Sequence, residues 1–245
     1  MFDKERYLEH IGFSGTPDAT LATLRELHRK HQLTLYYDNG YVQTTNFLDF
    51  DLDALFETIV VGRRGGICTD LNFLFDRLLR ELGFEVKLLA AGILLPSGKW
   101  GPDVEHAVMV VTLDGEDWLV DVGNGGVCIL DPLPFSGETV EQEGIGFRLV
   151  REGEYHILQY RTRNKDWRIA YRFTMRVHEM SAWSILSELN TLHKDVLVRR
   201  RRRVTDRGQI MLTANYVVTI EDGVERPSLV RDPAELEKLV AEHWG

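Results

Sequence analysis

The sequence predicts an α+β fold, and the hydrophobic period along the chain carries that prediction: helical spacing in the first third, strand alternation through the middle, and a mixture of both at the end. A hydrophobic content of 44% over 245 residues supplies enough apolar surface for a sizeable core.

In the first third, Leu21, Leu24 and Leu27 recur at helical spacing after the start signal Thr16-Pro17. Asp51-Leu-Asp-Ala-Leu-Phe opens a second helix. Leu71, Leu74, Leu78 and Leu82 form the apolar stripe of a third, which stops at Gly83. These helices make a small bundle. From Phe84 the pattern changes to strands: FEVKLLAAGILL, then AVMVVTL and DWLVDVG around the turn signal Asp114-Gly115, then FRLVRE, YHILQYRT and WRIAYRFTM. This middle part reads as antiparallel sheet or barrel. Helical spacing returns at HEMSAWSILSELNTL near Ser184 and three more short strands follow. DPAELEKLVAEHW closes the chain as a helix with Asp232 as N-cap, Pro233 at the first position and Glu235 completing a capping box.

Composition excludes several classes. No run of eighteen apolar residues occurs, and MFDKERYLEHIGF lacks the basic segment, apolar stretch and cleavage site of a secretory signal, so a cytoplasmic protein without a membrane partner is expected. Cys68 and Cys128 stand in unrelated contexts with no CxxC or Cys/His cluster, which suggests neither a disulfide framework nor a metal site. A formal net charge of -9 disfavours nucleic acid as a partner. The run Arg199 to Arg203 lies in VLVRRRRRV, between β-branched residues and the turn-like Asp206-Arg207-Gly208. It reads as a solvated edge strand, whose charge discourages edge-to-edge aggregation, in preference to an anion-binding patch.

The stretch RRGGICTDLN concentrates the chemistry. Gly65 and Gly66, free to take positive φ or approach other backbone closely, deliver Cys68 to the first residues of a helix. There, unsatisfied N–H groups and aligned peptide dipoles favour a thiolate, and Arg63 and Arg64 add positive charge. A buried structural cysteine is the alternative. A base is available in EHAVMVVTLDGEDWLVDVG: with Asp114-Gly115 as a two-residue hairpin turn, Leu113 faces Glu116 and Val108 faces Asp121. His106 and Asp121 then share a face as diagonal neighbours. An aspartate beside a histidine orients the imidazole and stabilises its cation, which is what an acyl-transferring cysteine requires.

RGGICTDLN, the histidine of EH and WLVDVGNGG resemble, in order and spacing, the three signatures of the arylamine N-acetyltransferases, which run close to RGGYCFEQN, a histidine and DVGFG. YLEHIGFSG, LATLRELHRKHQLTLYYDN, DLDALFETIV and the closing DPAELEKLVAEHWG are also similar to family segments. The resemblance implies a helical bundle, a β-barrel and an α/β lid in a cysteine-protease-like arrangement, and the changes of period near Phe84 and Ser184 bound them at residues 1–84, 85–184 and 185–245. The bundle would supply the nucleophile, and the barrel His106 and Asp121. It implies that Cys68 takes an acyl group from a thioester, acetyl-CoA or another acyl-CoA, and passes it to a small-molecule amine, without a metal, in a monomer or homodimer. The related amide synthases of ansamycin biosynthesis, similar in sequence, use a tethered polyketide as donor. A cysteine hydrolase and a binding protein without turnover are the rival readings.

This chain also departs from the family. Tyr36, Tyr37, Asp38 and Asn39 replace PFEN; Tyr37 stands at an acceptor-pocket aromatic, and Asp38 at a glutamate expected to pair with Arg64. Thr69 and Asp70 replace Phe and Glu after the cysteine, and ELNTLHKDVLV replaces a Ser/Thr/Pro-rich segment near the cofactor. Asn124, followed by Gly125, takes the place of the phenylalanine of DVGFG. Tyr37, Asn124 and Gly125 are therefore the expected substrate-binding residues. An unpaired Asn124 amide would favour a polar acceptor, unless it only caps a turn.

Overall fold

A computed structural model of the protein describes residues 1–43, 50–186 and 198–245. Helices α1 (Lys4–His10), α2 (Leu21–Thr34), α3 (Leu52–Leu55) and α4 (Cys68–Glu81) come first, each except α4 begun by a side chain that accepts backbone N–H groups: Asp3, Thr20 and Asp51. α2 starts at Leu21 behind Thr20, not at Thr16-Pro17, because only the Thr20 hydroxyl reaches the N–H of Thr23, at 3.2 Å. α3 runs on into a π-helical turn over Phe56–Val61. Leu71, Leu74 and Leu78 of α4 are fully buried, and Gly83 ends it at φ 86°.

The strands of the middle form an eight-stranded antiparallel sheet: β2 (Glu85–Ile93), β3 (His106–Leu113), β4 (Glu116–Val120), β5 (Leu133–Pro134), β6 (Val140–Gln142), β7 (Ile145–Glu152), β8 (Tyr155–Arg161) and β9 (Arg168–Val177), in the order β5-β4-β3-β2-β9-β8-β7-β6. The two edges approach each other. The Gln142 side chain accepts from the N–H groups of Leu130 and Asp131 at 2.7 and 3.2 Å and donates to the Asp131 carbonyl at 3.0 Å, so a side chain nearly closes the barrel. Val108, Val110, Phe147, Leu158 and Phe173 fill its interior, while Ala107, Met109 and Val111 on the other face of β3 pack into the cluster that contains α4. Both faces of β3 are buried, which is why AVMVV is an unbroken apolar run. Asp114 and Gly115 take φ 51° and 81°, and Leu113 pairs with Glu116 as the two-residue turn requires.

In the last third, β10 (Arg200–Thr205), β11 (Gly208–Thr213), β12 (Tyr216–Glu221) and β13 (Val224–Leu229) make an antiparallel meander covered by α5 (Pro233–Trp244). The polar, proline-containing VERPSL of β13 is an additional strand that alternation does not reveal; Pro227 is tolerated because β13 is an edge. β1 (Tyr37–Asp38), from the first third, adds to the other side of the meander by pairing with β10. β10 is thus an interior strand, and the reading of its arginines as a solvated edge is corrected. Arg202 is fully buried and Arg201 is paired with Asp38. Of HEMSAWSILSELNTL, Met180–Ser184 forms a 3₁₀ turn, and the part beyond Leu186, with most of ELNTLHKDVLV, lies outside the described residues.

Candidate active site

Cys68 is the first residue of α4, delivered by an extended segment. Gly66 donates to the Tyr36 carbonyl at 3.1 Å and accepts from Asp38 N–H at 3.0 Å, bridging the twin glycines to β1. Neither glycine has positive φ; Arg63 does, at 55°. The glycines serve close approach: a Cβ on Gly65 would collide with the Tyr36 ring, and one on Gly66 would lie 2.9 Å from Ile59. Ile67 at the N-cap has no acceptor side chain, and Asp70 compensates by reaching back to the Ile67 N–H at 3.1 Å, while Tyr41 donates to the same carboxylate oxygen. Burial pushes the Asp70 carboxyl up to about 6 against these bonds and the nearby Arg64. Arg64 does not pair with Asp38 as expected: it stacks on the Tyr41 ring at 3.9 Å, and Asp38 binds Arg199 and Arg201 at 2.8 and 3.0 Å.

The β3–β4 hairpin places His106 and Asp121 as its register demands, with His106 Nε2 2.8 Å from Asp121 Oδ2. Both are almost fully buried. Burial alone would lower the His106 pKa, but the Asp121 charge and hydrogen bond, followed by a hydrogen bond with the Cys68 thiol, outweigh it and raise it. Asp121 moves the other way: burial opposes its ionisation, yet His106, Asn72 and the Gly123 N–H hold it below the usual carboxylate range. With Nε2 engaged, Nδ1 of His106 is the ring nitrogen left for the thiol.

Asn72 is the residue that sequence reasoning missed and could have found, since it follows Cys68 by four positions and so shares its helix face. It donates to Asp121 Oδ1 at 3.0 Å and to the Ala107 carbonyl at 2.7 Å, and accepts from Val122 N–H at 3.0 Å. One side chain therefore ties α4 to the ends of β3 and β4. Gly123 makes this packing possible, because a Cβ there would lie 2.7 Å from the Cys68 carbonyl. His28, from α2, donates through Nδ1 to the Leu130 carbonyl at 3.0 Å and faces the Asp121 N–H with Nε2 at 3.3 Å. Arg202 donates to the carbonyls of Val122 and Asn124 at 3.0 and 2.8 Å, to Gln32 at 2.9 Å and to the Cys128 sulfur at 3.1 Å. No sequence signal marks it, because its role depends on β10 being interior.

Cys68, His106, Tyr37, Asn124 and Gly125 line one cavity of about 300 Å³, with Glu105, Tyr160 and Arg200 among its other walls; Asp121 lies behind His106 and does not face it. A Cβ on Gly125 would lie 2.7 Å from the Tyr37 ring, so only glycine lets that ring lie on the backbone. The Asn124 amide is not left unpaired: Oδ1 accepts from Gly126 N–H at 2.8 Å and Nδ2 donates to the Val127 carbonyl at 3.1 Å. Asn124 caps a turn, and the expectation of a polar acceptor built on its free amide is withdrawn.

A family model described as N-acetyltransferase matches residues 20–245. The chain is 35% identical over 250 residues to the proansamycin X synthase of Amycolatopsis mediterranei, a match covering 98% of this chain and 96% of that one. It is 31% identical over 248 residues to the arylamine N-acetyltransferase of Escherichia coli, covering 98% and 87%. Among solved structures, the arylamine N-acetyltransferase of Mycobacterium marinum superposes with a TM-score of 0.87 at 28% identity over 98% of this chain and 91% of that one. A structure of the M. marinum protein in complex with CoA gives a TM-score of 0.85 at 27% identity over the same shares. Agreement in sequence and in α+β fold from end to end makes this chain a member of the arylamine N-acetyltransferase family, and an acyltransferase enzyme.

Proposed function

We propose that the protein transfers an acyl group from a thioester, of the acyl-CoA class, to an amine through an acyl-Cys68 intermediate. The observation that carries this reading is the 2.8 Å bond by which Asp121, from behind, holds His106 on the wall of the cavity that Cys68 also lines. The raised His106 pKa keeps the imidazole protonated near neutral pH, the cation that a Cys68 nucleophile needs beside it. The Cys68 thiolate adds to the thioester carbonyl, and N–H groups of the first turn of α4 are suited to hold the oxyanion. Collapse breaks the C–S bond of the donor, whose sulfur leaves with the proton of the imidazolium. In the second half the amine adds to the acyl-cysteine and His106 takes its proton. Cys68 then leaves as thiolate, which restores the original ion pair. Asp121 keeps the imidazole in one orientation throughout.

Intact mass after incubation with a panel of acyl-CoAs tests nucleophile and donor together. One acyl increment is expected on the wild type and none on Cys68→Ala. Its discharge by an amine with formation of the amide supports transfer, whereas equal discharge by water with or without amine makes the protein a hydrolase. The 35% identity to a proansamycin X synthase favours a second reading, an amide synthase with a tethered donor. Acylation by carrier-mimicking thioesters with no acylation by CoA thioesters would select it.

A further inference from the structure

Four of the five arginines in the run Arg199 to Arg203 are occupied. Arg199 and Arg201 share Asp38, Arg202 clamps the loop after Asp121, and Arg203 donates to the carbonyls of His243 and Leu33 at 3.0 and 3.4 Å. The guanidinium of Arg200 makes no hydrogen bond or ion pair among the described residues, and Arg200, an exposed residue, is one of those that line the Cys68 cavity. Strand alternation explains its direction: Arg200 is two residues from Arg202 and shares the face that looks onto the Asp121 loop. Its backbone, by contrast, is pinned, with N–H donating to Asn39 Oδ1 at 2.6 Å and carbonyl accepting from Asn39 N–H at 3.2 Å. A fixed base carrying a free charge is the form of a recognition group.

Glu105 shares the cavity wall and feels the charge of Arg200, but among the described residues no ion pair joins the two, and its Oε2 is buried against Gly101, where a Cβ would collide with it. The phenols of Tyr37 and Tyr160, also on the wall, are neutral, because burial raises both above the usual tyrosine range. A guanidinium offers two parallel N–H donors that match a carboxylate in both spacing and charge. At about 300 Å³ the cavity is of a size for a substituted ring or a short acyl chain, and an anion bound inside it beside Cys68 belongs to the acceptor or to the transferred acyl group.

We propose that Arg200 is a specificity-determining residue that selects a substrate bearing a carboxylate in the Cys68 cavity. This rests on the acyl-transfer reading of the cavity, and the test separates the two. The first measurement needs no turnover: protection of Cys68 from iodoacetamide by benzoate and by benzamide, followed by mass spectrometry. Benzoate is expected to protect at roughly tenfold lower concentration in the wild type, and Arg200→Gln to erase the difference. The second compares kcat/KM ratios in two arms: 4-aminobenzoate over its methyl ester with acetyl-CoA, and malonyl-CoA over propionyl-CoA with a neutral arylamine. The acid is expected to be preferred by about tenfold in one arm, which identifies the source of the carboxylate, and Arg200→Gln to bring that ratio near one. Arg200→Lys, which keeps the charge and loses the fork, should fall between. Equal protection by benzoate and benzamide in the wild type, or an acid preference that survives Arg200→Gln, overturns the proposal. Selective benzoate protection lost in Arg200→Gln, in a protein that forms no acyl-Cys68, supports Arg200 and refutes acyl transfer.

Discussion

Asn124 shows how a residue can line a cavity and still serve the backbone. Both ends of its amide close the turn through Gly126 and Val127, so Asn124→Phe removes one buried and one partly buried hydrogen bond and leaves the Val127 carbonyl short of a partner. We expect a loss of about 1–3 kcal/mol in urea unfolding and a fall in kcat/KM shared by apolar and polar acceptors alike. A selective gain for plain arylamines would return Asn124 to substrate recognition. Asp121 is the contrasting case, since its carboxylate accepts from His106, Asn72 and Gly123 together. Asp121→Asn keeps the shape but places a donor amide against Nε2, and turnover should drop by about 10⁴-fold with little change in melting temperature. Near wild-type turnover would remove Asp121 from the mechanism.

Within α4, the start of the helix carries a cost that depends on pH. The Asp70 carboxyl titrates near 6 in the folded protein against 3.8 as its ordinary value, so the folded state holds the proton more tightly. The sign follows: the associated stability is fully present below pH about 4 and is lost as pH rises through about 6, amounting to about 3 kcal/mol. Asp70→Asn retains an oxygen for the Ile67 N–H and Tyr41 hydroxyl while removing the buried charge. It should unfold at higher urea than the wild type at pH 8 and match it at pH 4. A less stable variant at pH 8 would mean that the helix terminus and Arg64 reward the charge more than burial penalises it.

Across the whole molecule, Arg202 joins parts that are distant in sequence: α2 through Gln32, the loop after Asp121 through two carbonyls, and β10, on which it stands. It is a fully buried cation satisfied by neutral oxygens and one sulfur. Arg202→Met leaves the Val122 and Asn124 carbonyls without a partner, at about 1–3 kcal/mol each. Faster amide exchange over residues 122–128 is the accompanying expectation, and Arg202→Lys should recover part of both. Unaltered exchange there would show that the loop is held by Asn72 and Gly123 alone.

The sequence by itself determined the helices with strong apolar stripes, the β3–β4 hairpin and the pairing of His106 with Asp121, because each depends on period and turn chemistry within about 20 residues. Asn72 was legible for the same reason, one helical turn from Cys68. Tertiary structure alone decided what depends on strand neighbours far apart in sequence. The addition of β1 beside β10 turned an apparent edge into an interior strand, withdrew Asp38 from Arg64, buried Arg202 and left Arg200 facing the cavity. Alternation states which residues share a face of a strand, but whether that face meets water or another part of the chain is decided by long-range pairing, which no local pattern records.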